Sequence, residues 1–161
     1  MTELKIVVLS DSHHYIQYML DAIEKEQPNY VIHLGDHTDD AEELRRYYPM
    51  LPILSVKGNC DFNPNCQDLA IAEYGGVRIM AAHGHKYGVK SGLIRFVYAA
   101  KENQVHVALF GHTHAAYCEQ YEGIWILNPG SCGYCSCPSY GLIEIHNQNA
   151  ICSICRIHDR R

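Results

Sequence analysis

Side chains that commonly bind metal ions are concentrated in five short segments of the sequence, each directly after an apolar run. The segments are residues 11–13 (DSH), 35–37 (GDH), 58–61 (GNCD), 83–85 (HGH) and 111–114 (GHTH). Together they offer carboxylate, imidazole and amide donors. This mixture suits Mn²⁺, iron or Zn²⁺ better than Ca²⁺, which prefers a cage made of oxygen atoms alone.

The spacing within the segments allows neighbouring donors to face the same ion. Side chains two residues apart point the same way along an extended segment, so Asp11 can share an ion with His13, and His112 with His114. A single pair of this kind is common by chance, and Gly-Asp after a strand often forms only a turn. Five such segments, each at the end of a predicted strand, favour one shared metal site.

The elements that must position these segments alternate between strand and helix in the first half of the chain. The apolar patterns predict strands at 5–10, 30–34 and 52–57 and helices at 15–25 and 38–48, the second helix with Thr38 or Asp39 as its N-cap. This order predicts a parallel sheet with right-handed crossovers. Because ligands bind outside the carboxyl ends of such strands, the five segments are expected to meet on one rim.

The second half of the chain contains more strands than helices. Gly75 and Gly76 separate two apolar runs, 68–74 and 77–83, and predict a β-hairpin. A helix is then predicted at 91–102 and a buried strand at 105–110. Four further strands, at 116–121, 123–127, 140–145 and 150–157, are expected to complete a second, antiparallel sheet. We therefore expect an α/β fold class, with two packed mixed β-sheets flanked by helices in a single domain over residues 1–161.

Composition excludes several classes of protein. The chain has 161 residues, of which 47% are hydrophobic and 19% charged, a balance typical of globular proteins. Its net charge of −5 argues against a broad basic surface, so a nucleic-acid polymer is not the expected partner. The sequence has no stretch of about 18 apolar residues that would span a membrane and no signal-peptide pattern at the N-terminus, so a cytoplasmic location is expected.

The motifs resemble those of the calcineurin-like metallophosphoesterases, and most closely their small bacterial and archaeal phosphodiesterases. The resemblance covers residues 5–145 and rests on six segments: DSH (11–13), HLGD (33–36), KGNCD (57–61), HGH (83–85), GHTH (111–114) and ILNPGS (126–131). It implies a two-sheet α-β-β-α sandwich, the metallophosphatase-like fold. It also implies a phosphoesterase, by expectation a phosphodiesterase, whose nucleophile is a hydroxide shared by two metal ions and whose substrate is a small phosphoester.

The same resemblance implies a ligand for each of the two ions. The first ion would be held by Asp11, His13 and His114, the second by Asn59, His83 and His112, and Asp36 would bridge them. Mn²⁺ is the first expectation for both ions, with Fe, Zn²⁺ or Ni²⁺ as alternatives.

Other residues of the motifs are expected to assist the ligands or the substrate. Asn59 is expected to orient the phosphate as well as bind metal. Cys60 stands where many relatives carry the histidine that protonates the leaving alkoxide, and a thiol beside two cations would be a thiolate or a bystander. His37, His85 and Asp61 flank the expected ligands, and we expect them to contact substrate or to orient ligands.

The remaining histidines and the cysteines have simpler expectations. His33 and His106 lie in apolar strands and are predicted to be buried, hydrogen-bonded core histidines or to orient metal ligands, whereas His146 and His158 are predicted to be surface residues. The cysteines at 132, 135, 152 and 155 have the spacing of a structural zinc site, C-x2-C-x16-C-x2-C. Residues three apart on a strand point to opposite faces, so free, mostly buried thiols are expected instead, and the roles of Cys132, Cys135, Cys137, Cys152 and Cys155 stay open.

Two classes of function compete for this fold. One is a hydrolase of small phosphoesters; the other is a non-catalytic metal-binding scaffold, since the small retromer subunit is similar in fold and serves binding. All seven expected ligand positions carry usable donors, which a scaffold would not need, so the sequence favours the enzyme. Substrate identity and the preference for monoesters or diesters are not fixed by these motifs, and the chain is compatible with a monomer or a homo-oligomer.

Overall fold

The computed structural model describes residues 3–62 and 66–157. In order, its first elements are β1 (Leu4–Leu9), α1 (Gln17–Glu26), β2 (Tyr30–His33), α2 (Thr38–Tyr47), β3 (Ile53–Ser55), β4 (Leu69–Tyr74) and β5 (Val77–Ala82). A 3₁₀ turn (His85–Tyr87) is followed by α3 (Ile94–Glu102), β6 (Val107–Leu109), β7 (Tyr117–Tyr121), β8 (Ile124–Asn128), β9 (Ser139–His146) and β10 (Asn149–Arg156). These elements follow the predicted strand and helix order closely.

The first sheet has the order β10-β9-β1-β2-β3. As predicted, β1, β2 and β3 run parallel. The prediction that all four last strands complete the second sheet was wrong, because β9 pairs antiparallel with β1 and β10 pairs with β9. The reason is the pairing of β9: its place between β1 and β10 satisfies both of its backbone edges and buries nearly its whole length, whereas its apolar pattern alone does not specify a sheet.

The second sheet has the order β4-β5-β6-β8-β7. Its β4–β5 hairpin turns at Gly75 and Gly76, as predicted, and both glycines have positive φ angles (53° and 82°). Strands β5, β6 and β8 are parallel neighbours, and β7 pairs antiparallel with β8. Both sheets are therefore mixed, which agrees with the predicted fold class.

Side chains of alternating strand positions build three apolar layers. On β1, Ile6 and Val8 point between the two sheets, while Val7 and Leu9 point outward against α1 and α2. On the opposite side of the molecule, Phe96 of α3 packs against the outer face of the second sheet. Two packed sheets with helices outside confirm the expected sandwich, whose parallel strands carry the polar segments at their ends.

Three local predictions can be compared with the described residues. His33 is fully buried and His146 is exposed, both as predicted. His106 is exposed, contrary to the prediction, because β6 begins only after it, at Val107. Its ring Nδ1 accepts a hydrogen bond from the Arg78 backbone N–H (2.9 Å). His158 lies outside the described residues.

Among the described helices, none has the length and apolar character needed to cross a membrane.

Candidate metal centre

The five polar segments meet through direct contacts at the carboxyl ends of the parallel strands. The backbone N–H of Asp11, after β1, donates to the Gly35 carbonyl, after β2 (3.0 Å). In the second sheet the Gly111 N–H, after β6, donates to the His83 carbonyl, after β5 (2.9 Å). The His112 N–H then reaches the Asp11 carboxylate across the two sheets (3.2 Å). These bonds explain why side chains 101 positions apart share one centre.

The Asp11 carboxylate lies in the middle of this centre and is completely buried. Its Oδ2 accepts hydrogen bonds from the Ser10 hydroxyl (2.6 Å) and the His112 N–H. Its Oδ1 has no hydrogen-bond partner within the described part of the chain. A buried carboxylate oxygen without a partner is costly, so this oxygen fits a bound cation.

Three imidazole nitrogens surround this unpaired oxygen. The Nε2 atom of His114 lies 3.2 Å from Asp11 Oδ1, and those of His13 and His83 each lie 3.9 Å from it. His13 and His114 approach each other to 3.4 Å between their Nε2 atoms. Potential ligand atoms of Asp11, His13, Asp36 and His114 all lie within 4.8 Å of one another. Ligand atoms that each lie about 2.1 Å from one ion are at most about 4 Å apart, so this cluster is close to the spacing of a small divalent ion. It joins the first predicted ligand set to the predicted bridging residue.

Asp36 is held beside this cluster by two contacts. Its Oδ1 accepts the Cys60 backbone N–H (3.1 Å), and its Oδ2 lies 3.5 Å from His83 Nε2. Burial opposes ionisation of this carboxyl, but the neighbouring His83 ring and the hydrogen bond from the Cys60 N–H outweigh burial and hold the pKa of Asp36 well below its usual range. Asp36 is therefore an anion at neutral pH.

His83 and His112 form the adjoining part of the centre. The ring Nδ1 of His83 lies 2.8 Å from the Leu34 carbonyl, which requires a proton on Nδ1 and turns Nε2 toward the carboxylates, where the neutral ring would offer its lone pair. His112 Nδ1 lies 3.2 Å from His83 Nε2. Burial lowers the pKa of His112, whereas the pKa of His83 is raised because its contacts with Asp36 and Asp11 outweigh the effect of burial.

The 58–61 segment approaches the centre through its backbone. Asn59 is exposed, and its amide Nδ2 lies 3.7 Å from Cys60 Sγ, so its expected contact with the second ion stays a prediction. Cys60 is also exposed, but partial desolvation of its sulfur and the nearby Asp36 charge raise the pKa of the thiol. Close approach of the two loops requires glycine: a Cβ on Gly58 would lie 2.2 Å from Asp36 Oδ1, and one on Gly35 would lie 2.5 Å from the Gly58 nitrogen.

Asp61 binds backbone rather than facing the cluster. Its Oδ1 accepts the N–H groups of His37 (2.7 Å) and Thr38 (2.9 Å), and its Oδ2 accepts that of Gly58 (2.8 Å). Asp61 therefore caps α2 from a distant loop. The prediction of Thr38 or Asp39 as the N-cap was wrong, because α2 begins at Thr38 and no side chain of His37 caps it.

Two predicted flanking histidines lie next to the ligands. The His37 ring contacts those of His14 and His13, with centroids 4.0 and 4.9 Å apart. The His85 ring lies 5.6 Å from that of His83, and its buried Nδ1 has no hydrogen-bond partner among the described residues.

Two residues beneath these loops were not predicted from the sequence. The Ser12 hydroxyl donates a hydrogen bond to the Asp40 carboxylate. Ser12 lies inside the DSH motif, whereas no sequence pattern points to Asp40.

The cysteines do not form a second metal cluster in the described part of the chain. Cys152 packs between the sheets, whereas Cys155, three residues further along β10, packs on the helix side. Cys132 is buried, with its thiol donating to the Ser10 carbonyl (3.3 Å), and Cys135 is exposed. All eight cysteines are free thiols, as predicted, but only Cys132 and Cys152 are buried. The prediction that most of them are buried was wrong, because several lie in loops outside the apolar layers.

Comparison with known proteins identifies relatives over most of the chain. A family model described as the calcineurin-like phosphoesterase superfamily domain matches residues 4–148. The probable metallophosphoesterase YsnB of Bacillus subtilis is 36% identical over 132 residues, which cover 80% of this chain and 75% of the relative. A phosphodiesterase of Methanocaldococcus jannaschii is 26% identical over 166 residues, covering 88% of this chain and 93% of that protein.

Solved structures share the architecture. A predicted phosphoesterase from Streptococcus pneumoniae superimposes with a TM-score of 0.78 at 27% identity, covering 97% of this chain and 91% of the other. Vps29 of Entamoeba histolytica, in complex with Zn²⁺, has a TM-score of 0.78 at 20% identity, covering 96% and 100%; at this identity the likeness concerns the fold alone. The match to the family model and the identity to YsnB show that the chain belongs to the calcineurin-like phosphoesterase superfamily.

Proposed function

We propose that this protein hydrolyses small phosphodiesters with the help of two divalent metal ions. The observation that carries the proposal is the buried Asp11 Oδ1, which has no hydrogen-bond partner in the described structure and faces three imidazole nitrogens beside Asp36. Membership of the phosphoesterase superfamily supports phosphoester chemistry at this centre. The 26% identical phosphodiesterase of Methanocaldococcus jannaschii supports diesters in particular.

Each of the two parts of the centre would hold one metal ion. Asp11, His13 and His114 would hold one ion, Asn59, His83 and His112 the other, and the Asp36 carboxylate would contact both. Mn²⁺ is the first choice, with Fe, Zn²⁺ and Ni²⁺ as alternatives, because carboxylate and neutral imidazole ligands suit all of these ions. When bound, the ions would lower the pKa of water, so that hydroxide is available at neutral pH, and would neutralise charge on the phosphoryl oxygens.

The chain's own residues orient the donors for this chemistry. Ser10 and the His112 N–H occupy Asp11 Oδ2, so Oδ1 is left for a cation. The Leu34 carbonyl fixes the His83 ring in the same way, with its Nε2 directed at the centre. Such outer contacts set the tautomer and direction of the ligands.

Hydrolysis forms a new P–O bond from water and breaks the ester P–O bond, after which the leaving oxygen must take up a proton or depart as an anion. Cys60 occupies the position of the usual proton-donating histidine, and a thiol is a poor substitute for an imidazolium. We therefore expect activated diesters, whose leaving groups are stable anions, to be better substrates than alkyl monoesters.

A second candidate is a non-catalytic scaffold, favoured by the likeness in fold to Vps29. The donors gathered around Asp11 Oδ1 support the enzyme, because a surface used only for protein binding does not require a buried carboxylate oxygen without a partner in the described structure. The cytoplasmic location and the oligomeric state stay predictions.

The test is an assay of phosphomonoesters and diesters with Mn²⁺, Ni²⁺, Zn²⁺ and Mg²⁺ added to metal-free protein. We expect hydrolysis of aryl phosphodiesters that depends on added metal, and a loss of about 100-fold or more in Asp11→Asn. Asp68→Asn is the matched control, because Asp68 pairs with Lys86 and Lys57 outside the centre. Absence of hydrolysis with every metal and ester would favour the scaffold.

A further inference from the structure

A chain of hydrogen bonds runs beneath the ligand loops without including a ligand side chain. The Gly35 N–H donates to His33 Nδ1 (3.2 Å), so the neutral His33 ring carries its proton on Nε2. That Nε2 lies 3.0 Å from the Ser12 hydroxyl, which in turn donates to Asp40 Oδ2 (2.6 Å). The same Oδ2 accepts the His14 backbone N–H (2.8 Å). Every donor in this chain therefore has one defined acceptor.

The three side chains of this network are shielded from water. His33 and Ser12 have no exposed surface, and Asp40 is 2% exposed. Hydrogen bonds in such surroundings are strong and directional, and a buried network whose members are all satisfied is rigid. The network can therefore fix the positions of the backbone segments to which it is attached.

Those backbone segments are the ones that carry the candidate ligands. Ser12 lies between Asp11 and His13, and Gly35 immediately precedes Asp36. Asp11, His13 and Asp36 all have left-handed backbone conformations, with φ angles of 56°, 47° and 53°. Residues other than glycine keep such conformations only where their surroundings hold them. The network supplies such a restraint on both sides of the cluster.

We propose that His33, Ser12 and Asp40 are positioning residues that hold the 11–13 and 35–37 loops at the separation required by the metal ions, before the ions bind. This inference rests on the proposed function, since it assigns the network a role toward the same metal centre. The residues touch neither substrate nor ion; they act through Asp11, His13 and Asp36.

The test is the affinity of the metal-free full-length protein for Mn²⁺, measured by calorimetry. Ser12→Ala and Asp40→Ala are expected to bind Mn²⁺ about 10- to 100-fold more weakly than wild type, the usual effect of removing a group that orients metal ligands. With Co²⁺ in place of Mn²⁺, the visible absorption bands of both variants should shift, because the ligand geometry changes. Neither readout depends on catalysis.

Ser139→Ala is the matched control. Ser139 is 1% exposed and its hydroxyl donates to the Pro129 carbonyl (2.6 Å), so this variant also loses a buried hydroxyl hydrogen bond. It should lower stability but leave Mn²⁺ affinity within about twofold of wild type, because the hydroxyl's partner, Pro129, is not next to any proposed ligand in the sequence. Asp40→Asn keeps an acceptor oxygen for Ser12 and His14, so it should bind Mn²⁺ more tightly than Asp40→Ala.

The outcomes separate this inference from the proposed function. If wild type binds none of Mn²⁺, Zn²⁺ and Ni²⁺, the proposed function fails and the inference with it; if it binds only one of the others, the same comparison is made with that ion. If wild type binds Mn²⁺ while Ser12→Ala and Asp40→Ala are folded and bind it within about twofold of wild type, only the inference is wrong. Should Ser12→Ala fail to fold, equal Mn²⁺ affinities for Asp40→Asn, Asp40→Ala and wild type would overturn it.

Discussion

Acidification should destabilise the metal-free protein through one buried imidazole. Burial lowers the pKa of His33 from 6.5 to about 4, although the Asp40 charge acts in the opposite direction. The unfolded chain therefore takes up a proton at this histidine near pH 6.5, whereas the folded protein takes it up only near pH 4. Because the unfolded state binds more protons between these values, stability is lost as the pH falls from 6.5 to 4 and is fully present above 6.5.

The size of the effect follows from the two pKa values. They differ by about 2.5, and one pKa unit corresponds to about 1.36 kcal/mol, so full protonation costs about 3 kcal/mol of unfolding free energy. Between pH 7 and pH 4.5 we expect about 2 to 3 kcal/mol of this loss. A typical domain has only about 5–15 kcal/mol in total, so the loss is readily measurable.

The assay is urea unfolding of the metal-free protein at several pH values, followed by fluorescence of Trp125, the single tryptophan. His33→Gln is the reference, because its amide does not titrate and can still donate toward Ser12. Other titrating groups act in both proteins and cancel in the comparison. Wild type should lose about 2 to 3 kcal/mol more than His33→Gln between pH 7 and 4.5; parallel losses would refute the assignment of His33 as a neutral buried base.

Three further substitutions test the 58–61 segment. Cys60→Ala should leave kcat/KM for an aryl phosphodiester at saturating Mn²⁺ within about tenfold of wild type, and a loss of about a thousandfold with unchanged metal content would show that the thiol participates directly. Asp61→Ala should lower the free energy of urea unfolding by about 2–4 kcal/mol, because three backbone N–H groups lose their acceptor; unchanged stability would contradict the capping role. Gly58→Ala should weaken Mn²⁺ binding measured by calorimetry, because its Cβ would displace the Asp36 carboxylate, whereas Gly123→Ala, in open space, should not. Wild-type affinity in Gly58→Ala would show that the loops need no close approach.

The convergence of the polar segments could be predicted from sequence because it depends on local patterns. Each segment follows an apolar strand, and the carboxyl ends of parallel strands lie along one edge whatever the details of packing. Asp11, His13, Asp36 and His114 are accordingly brought together as expected. The hairpin at Gly75 and Gly76 was predictable for a similar reason, since its turn chemistry is local.

Features that depend on distant contacts could not be predicted in this way. The apolar pattern of β9 shows that it is buried but not which sheet it joins, and only its pairing with β1 decides this. The cap of α2 comes from Asp61, which is 23 residues from Thr38, so no signal near the helix start reveals it. Asp40 likewise has a role only because folding places it against Ser12.

The measurement that tests the central claim most directly is the number of metal ions bound per chain, determined by elemental analysis after loading metal-free protein with Mn²⁺ and dialysing it. Wild type is expected to retain two ions, Asn59→Ala to lose mainly one, and Asp36→Ala to lose tight binding of both, since Asp36 would contact both ions. Fewer than one ion per folded wild-type chain, or two ions retained by Asp36→Ala, would contradict a two-metal centre at this rim.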